Sequence, residues 1–315
     1  MEPVTNKGAG LGSDIYIIGN GVIAKALAVA LTINGKKVTV LRGSVDGQAA
    51  YSEHIQVETG EIIFQADVTI SSISNFEKLD GMILLTNKSF GNPELAVKLR
   101  LKTGKSPIVF LQNGLHIENY FINQGFTELY RCVLLATSQA IDKNKVKFKL
   151  VAPSPIGIIK GSDEILNTII QQLNTDIFSF RAEADIQTVI WKKVISNCVF
   201  NSICPLLETD NGVFQRNDAV LQIAKIVISE CLAVARENGI QLTEDDVLQN
   251  VLSISKMSDG QKISTYQDIL NKRQTEIETL NFAMAKAAHL TGKVEVPVTA
   301  LLGELIKIKS ELSRT

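Results

Sequence analysis

Ile15-Tyr16-Ile17-Ile18-Gly19-Asn20-Gly21-Val22-Ile23-Ala24 decides the fold. A short apolar run ends in Gly-x-Gly and passes straight into a helical pattern that lasts to about Ile33, where Asn34-Gly35 stops it. Lys37 to Leu41 is β-rich, so the first unit reads β-turn-α-β. In such a unit the first glycine permits the tight turn. The second lets backbone N–H groups approach a pyrophosphate at the positive end of the helix. Gly19 and Gly21 take those places, and Ala24 the third, where only helix–strand packing is at stake. Gly19, Asn20, Gly21, Val22 and Ile23 are therefore the expected phosphate-binding turn of a dinucleotide site.

Working outward, strands are expected at 62–72, 82–86 and 108–111, with a helix at 93–102 between the last two. Apolar strands alternating with helices imply a mostly parallel sheet covered on both faces. Strand-like stretches at 129–140, 145–151 and 156–159, joined by polar links such as Asp142-Lys143-Asn144, predict an antiparallel extension. A helix at 164–173 and a strand near 177–180 complete the first domain. After Arg181 the pattern is wholly helical, with helices near 185–203, 219–237, 244–255, 275–291 and 298–312. The fold class is an α/β dinucleotide-binding domain, 14–183, followed by an all-α domain, 184–315. A flexible leader, 1–13, precedes them and lacks the apolar core of a signal peptide.

Of the 315 residues, 45% are apolar and 21% charged, an ordinary globular balance. A net charge of -1 gives no nucleic-acid footprint. No apolar run approaches the roughly 20 residues of a membrane span. Cys132, Cys198, Cys204 and Cys231 lie in apolar segments without C-x-x-C spacing, as packed free thiols of a reducing cytoplasm would. His54, His116 and His289 are scattered and predict no metal site.

Cofactor preference is legible at the end of the second strand. An NAD site places Asp or Glu there to hold the ribose hydroxyl. This chain has Thr39-Val40-Leu41-Arg42, and an arginine pairs with a 2′-phosphate that a carboxylate would repel. NADPH/NADP is the expected cofactor.

Trp191-Lys192-Lys193-Val194-Ile195-Ser196-Asn197-Cys198-Val199-Phe200-Asn201 carries a second signal. Lys193, Asn197 and Asn201 recur at i, i+4 and i+8 and share one helical stripe amid apolar neighbours. A half-buried cation and two amides are costly to desolvate without partners or a ligand, so the stripe is expected to wall an active site. Lys192 competes with Lys193, but its own stripe continues through Ser196 to Phe200 and turns apolar.

Together with Thr86-Asn87-Lys88, Gln112-Asn113-Gly114, Ser264 and Gln274-Thr275-Glu276-Ile277, these motifs in this order resemble the ketopantoate reductase (2-dehydropantoate 2-reductase) family from Asp14 onward. The resemblance implies a Rossmann domain joined to a helical domain of the 6-phosphogluconate dehydrogenase C-terminal type, with the active site in the cleft between. It implies NADPH-dependent reduction of ketopantoate to pantoate in pantothenate and coenzyme A biosynthesis. Lys193 matches the general acid and Glu276 an acidic residue that contacts the substrate hydroxyl. Asn197, Asn201 and Ser264 match substrate-binding positions, and Lys88 and Asn113 lie toward the nicotinamide end, Asn113 serving cofactor and substrate. The chain departs from the family pattern at Ala136 and over Lys149–Pro155.

Such a reaction needs negative charge on the carbonyl oxygen stabilised and then protonated, and a lysine ammonium does both. The partners expected are a small keto acid and, at most, a second copy of the chain: monomer or homodimer. Two alternatives stay open. One is a related NADP-dependent dehydrogenase of another 2-keto or 3-hydroxy acid, and the other a non-catalytic NADP-binding sensor.

Overall fold

A computed structural model of the chain describes residues 12–43 and 45–315, so most of the expected leader lies outside the described residues. The chain forms two compact units. One runs to Gln112 and resumes over Glu118–Ile186; the other comprises Asn113–Ile117 and Gln187–Thr315.

The first unit contains β1 (Asp14–Ile18), α1 (Val22–Ile33), β2 (Lys37–Arg42), β3 (Tyr51–Thr59), β4 (Ile62–Ser72), β5 (Gly81–Leu85), α2 (Asn92–Arg100), β6 (Ile108–Phe110), α3 (Asn119–Asn123), β7 (Leu129–Cys132), β8 (Ala136–Ala140), β9 (Lys145–Leu150), β10 (Ser154–Lys160), α4 (Asp163–Leu173) and β11 (Phe180–Ala182). The strands form one sheet in the order β11-β10-β7-β6-β5-β1-β2-β4-β3-β9-β8. The stretch β4-β2-β1-β5-β6-β7 is parallel throughout. Chain order runs outward in both directions from β1, which makes the β1/β5 boundary the topological switch point where doubly wound sheets bind their ligands.

The apolar run of α1 is buried without interruption from Ala24 to Leu31. Its alanines let the helix lie close to β1 and β2 while β3, β4, β8 and β9 pack around it. Lys25 is caught in that enclosure and pairs with Glu53 on β3 at 3.5 Å. Its ammonium also donates to the Lys143 carbonyl, so the buried charge has an acidic and a neutral partner.

Several expectations need correction here. The stretch expected as one strand at 129–140 divides into β7 and β8, which lie far apart in the sheet. β3 has few apolar residues and gave no strong signal, yet it pairs along its whole length with β4. The strand expected near 177–180 falls at Phe180–Ala182 and runs parallel to β10. The antiparallel extension is present as β7/β10 and β8/β9. Ala136 and Lys149, where the chain departs from the family pattern, lie on that β8/β9 edge, away from the switch point.

The second unit is helical: α5 (Ile186–Leu206), whose first residue belongs to the first unit, α6 (Val213–Arg216), α7 (Asp218–Glu237), α8 (Glu244–Met257), α9 (Ser264–Leu270), a one-turn 3-10 helix at Ile277–Thr279, α10 (Asn281–Thr291) and α11 (Pro297–Leu312). The helix expected over 275–291 is broken at Leu280 (φ -111°, ψ -98°). A continuous helix would use the Thr279 carbonyl for its own ladder, whereas here that carbonyl accepts from Leu115 N–H at 2.9 Å. Glu276 consequently stands before a single 3-10 turn, not in the first turn of a long helix.

All four cysteines are free thiols and buried. Burial pushes the Cys204 thiol up to about 12, and a hydrogen bond with Cys231, reinforced by burial, raises that of Cys198. No helix of the described residues is long and apolar enough to cross a membrane.

Candidate active site

In the first unit the expected nucleotide residues gather at the switch point. Gly19 follows β1 with φ +120°, and its amide donates to the Leu41 carbonyl of β2 at 3.0 Å. A Cβ on Gly19 would stand 2.7 Å from Thr86 Oγ1 and 2.8 Å from Asn87 N, so no side chain fits. From the β5 side, Thr86 Oγ1 and the amides of Thr86 and Asn87 all donate to the Ile18 carbonyl, at 2.9, 2.9 and 3.0 Å. The turn after β1 and the turn after β5 are thereby locked together, and Lys88 occupies the second of them.

Gly21 is exposed and is the N-cap of α1, with no side-chain cap and no acidic residue in the first turn. A Cβ on Gly21 would meet nothing within 4 Å. The N–H groups of Val22 and Ile23 thus sit at an open, positive helix end, the condition for an anion. Asn20 Oδ1 and Asn87 Oδ1 are buried acceptors without a hydrogen-bond partner among the described residues. A sugar–phosphate bringing hydroxyl donors to the turn would satisfy such groups, so the residues fit a dinucleotide. Arg42 ends β2, half-buried, and donates to Gln48 Oε1 at 3.2 Å.

In the second unit, α5 fixes which lysine faces where. Ser196 Oγ donates to the Lys192 carbonyl and receives Asn250 Nδ2 of α8 at 2.8 Å. The Lys192 charge acts on Asp246, one turn before Asn250, and contributes to holding that carboxyl below its usual range, after its hydrogen bonds with Thr243. The 192/196 face of α5 is therefore closed by α8. Lys193, Asn197 and Asn201 lie one residue further on, about 100° round the helix.

Asn201 is 2% exposed. Its Oδ1 accepts from Ser264 Oγ and from Thr265 N–H, each at 3.3 Å. An amide N–H can only donate, so the Asn201 atom facing it is the oxygen, which leaves the NH2 group as what the side chain offers a ligand. Ser264 gives its one hydroxyl hydrogen to Asn201 in this arrangement. The hydroxyl of this expected substrate-binding residue is thus an acceptor toward anything else. The helix α9 that carries it was not anticipated, and its N-cap, Ile263, has no side chain to serve it.

Asn113 also belongs to this unit. The segment 113–117 lies against the 3-10 turn that follows Glu276: a Cβ on Gly114 (φ +114°) would come within 2.5 Å of Thr279 Cβ. On its other side His116 stands edge-on to Trp191, at 6.1 Å between ring centroids. Thr279 N–H and Oγ1 both donate to the Glu276 carbonyl, at 3.0 and 3.2 Å. The elements bearing Asn113, Lys193 and Glu276 are thus packed together, and those bearing Asn201 and Ser264 are hydrogen-bonded to each other. The signal for Gly114 was present in the sequence as Asn113-Gly114. That for the α9 contact was not.

Comparison with known proteins agrees with this division. Residues 15–157 match the family model described as ketopantoate reductase PanE/ApbA, and residues 185–310 match its C-terminal counterpart. The 2-dehydropantoate 2-reductase of Pyrococcus horikoshii is 25% identical over 301 residues, covering 95% of this chain and 98% of the relative. A PanE/ApbA family ketopantoate reductase from Ralstonia eutropha has the same fold, with a TM-score of 0.81 at 20% identity, covering 96% of this chain and all of that one. So has a D-mandelate dehydrogenase in a ternary complex with NADH and anilino(oxo)acetate (TM-score 0.83, 20% identity, covering 96% and 99%).

Proposed function

The chain belongs to the ketopantoate reductase family, and from that premise we propose that it reduces ketopantoate to pantoate with NADPH. The observation that carries the reading is the register of Lys193, Asn197 and Asn201 along α5, one position on from the Ser196 side chain that α8 binds. Residues 14–183 are assigned the cofactor and residues 184–315 the substrate.

NADPH, when bound, supplies the hydride. Gly19, Asn20, Gly21, Val22 and Ile23 hold its pyrophosphate, Arg42 its 2′-phosphate, and Lys88 and Asn113 serve its nicotinamide half. Lys193 stabilises the negative charge that develops on the substrate carbonyl oxygen and donates the proton that completes the alcohol. Asn197 and Asn201 orient the keto acid through their NH2 groups without adding charge. Glu276 accepts from the substrate hydroxyl and discriminates against keto acids that lack one. Ser264 holds the Asn201 oxygen, so that the amide hydrogens point to the ligand.

The test is the fall of NADPH absorbance on adding ketopantoate, repeated with a panel that includes the keto acid of mandelate. A Lys193→Ala variant is expected to lose turnover by at least a hundredfold with unchanged NADPH binding, while Lys192→Ala stays near wild type. Equal turnover by Lys193→Ala and wild type refutes the acid role. Faster turnover of another keto acid moves the substrate assignment within the same chemistry, and NADPH binding without oxidation of any keto acid favours a sensor.

A further inference from the structure

One buried amide joins two strand ends and the start of a helix in the first unit. Gln112 follows β6 and is 5% exposed; Asn92 opens α2 and is fully buried. Their side chains form a reciprocal pair: Asn92 Nδ2 donates to Gln112 Oε1 at 2.9 Å, and Gln112 Nε2 donates to Asn92 Oδ1 at 2.8 Å. The same Nε2 donates to the backbone carbonyl of Asn87 at 2.9 Å. The Gln112 carbonyl accepts from Arg131 Nη2 on β7 at 3.4 Å, and Arg131 is itself held by Glu118 through a buried ion pair at 2.7 Å.

Of these bonds, those with Asn92 and Arg131 hold Gln112 in place, and the one from Gln112 Nε2 to the Asn87 carbonyl reaches the peptide that links Asn87 and Lys88. Its neighbour amide, Asn87 N–H, is bound to the end of β1, and its carbonyl is bound to Gln112. The preceding peptide, Thr86–Asn87, abuts the Gly19 turn closely enough to forbid a Cβ there. Plane and position of the Lys88 backbone are thus set from both sides, and the Gln112 side supplies the bonds that the β1 side cannot.

We propose that Gln112, through its pair with Asn92, is a positioning residue for the nicotinamide half of the cofactor: it fixes the Asn87–Lys88 peptide, the one that follows the Thr86–Asn87 peptide packed on the Gly19 turn. The proposal rests on the dinucleotide reading of that turn. Gln112 touches neither the pyrophosphate turn nor Arg42, so its removal acts on one half of the cofactor and spares the other. A purely structural amide pair would affect both halves alike.

The experiment compares binding of NADPH with binding of adenosine 2′,5′-bisphosphate, the adenine half alone, by calorimetry on the full chain. Gln112→Glu keeps the size and the acceptor for Asn92 but cannot donate to the Asn87 carbonyl. It is expected to weaken NADPH at least tenfold while the bisphosphate stays within twofold. The double variant Gln112→Leu/Asn92→Leu removes the pair without orphaning either amide, which restores the thermal stability lost by each single leucine. It is expected to keep the same NADPH defect. NADPH binding equal to wild type in either variant, or a parallel loss of both ligands, overturns the proposal. Because these readouts are of binding, failure of the ketopantoate assignment leaves them intact and shows instead as absence of turnover by wild type. A wild-type chain that binds neither ligand overturns both.

Discussion

Asn201 of α5 caps helix α9 from a distance: its Oδ1 takes the Thr265 amide and the Ser264 hydroxyl, each at 3.3 Å. On the proposed reading this side chain has two duties, acceptor to its own fold and donor to a ligand, and the two separate by substitution. Asn201→Asp keeps the acceptor and loses the NH2 group. It is expected to melt close to wild type while kcat/KM for the keto acid falls at least tenfold. Asn201→Ala loses both and should also cost about 1 kcal/mol, the worth of a helix cap, read by denaturant unfolding. Equal activity of wild type and the aspartate variant would remove Asn201 from the substrate site.

Arg42 is expected to set the choice between the two nicotinamide cofactors. A charge-assisted hydrogen bond contributes about 1.5–3 kcal/mol, so Arg42→Ala should weaken NADPH roughly 10- to 100-fold. NADH affinity should stay unchanged. Fluorescence titration of both cofactors against both proteins checks it, and unchanged NADPH affinity removes the assignment.

The start of α11 is secured by a carboxylate from another helix. Glu230 of α7 accepts from the amides of Val298 and Thr299, at 3.0 and 2.8 Å, and from the Thr299 hydroxyl at 2.7 Å. Thr299 is fully buried, so water cannot replace the lost acceptor. Glu230→Ala should destabilise the chain by about 2–3 kcal/mol, and Glu230→Gln by less, because one oxygen is kept. Urea unfolding of the three proteins reads the order.

Tyr130 predicts an alkaline limit on stability. Its phenol donates to Glu128 at 2.6 Å and accepts the Ser162 amide at 3.1 Å, at the N-cap of α4. Burial first, and then the bond to Glu128, raise its pKa above 10. Because the folded-state pKa is the higher one, its contribution is complete below about pH 10 and disappears as pH rises through the folded value. Unfolding midpoints of wild type should therefore fall more steeply between pH 9 and 11 than those of Tyr130→Phe. Parallel slopes would exclude the tyrosine.

Local sequence by itself determined the β-turn-α-β start, the parallel core strands, the switch to helices after Arg181 and the shared stripe of Lys193, Asn197 and Asn201. Each of these rests on short-range periodicity or on a glycine that a backbone turn demands, and such signals survive without knowledge of the partners. Tertiary structure alone decided the rest. That α8 closes the Lys192 face, that Leu115 takes the Thr279 carbonyl and breaks the helix after Glu276, and that Asn201 reaches Ser264 are contacts between residues 54 to 164 positions apart. The same holds for Gln112, whose amide meets Asn92 across 20 residues. A hydrogen bond between distant segments leaves no period in either one, so only the folded chain shows which polar side chains serve the fold and which remain for a ligand.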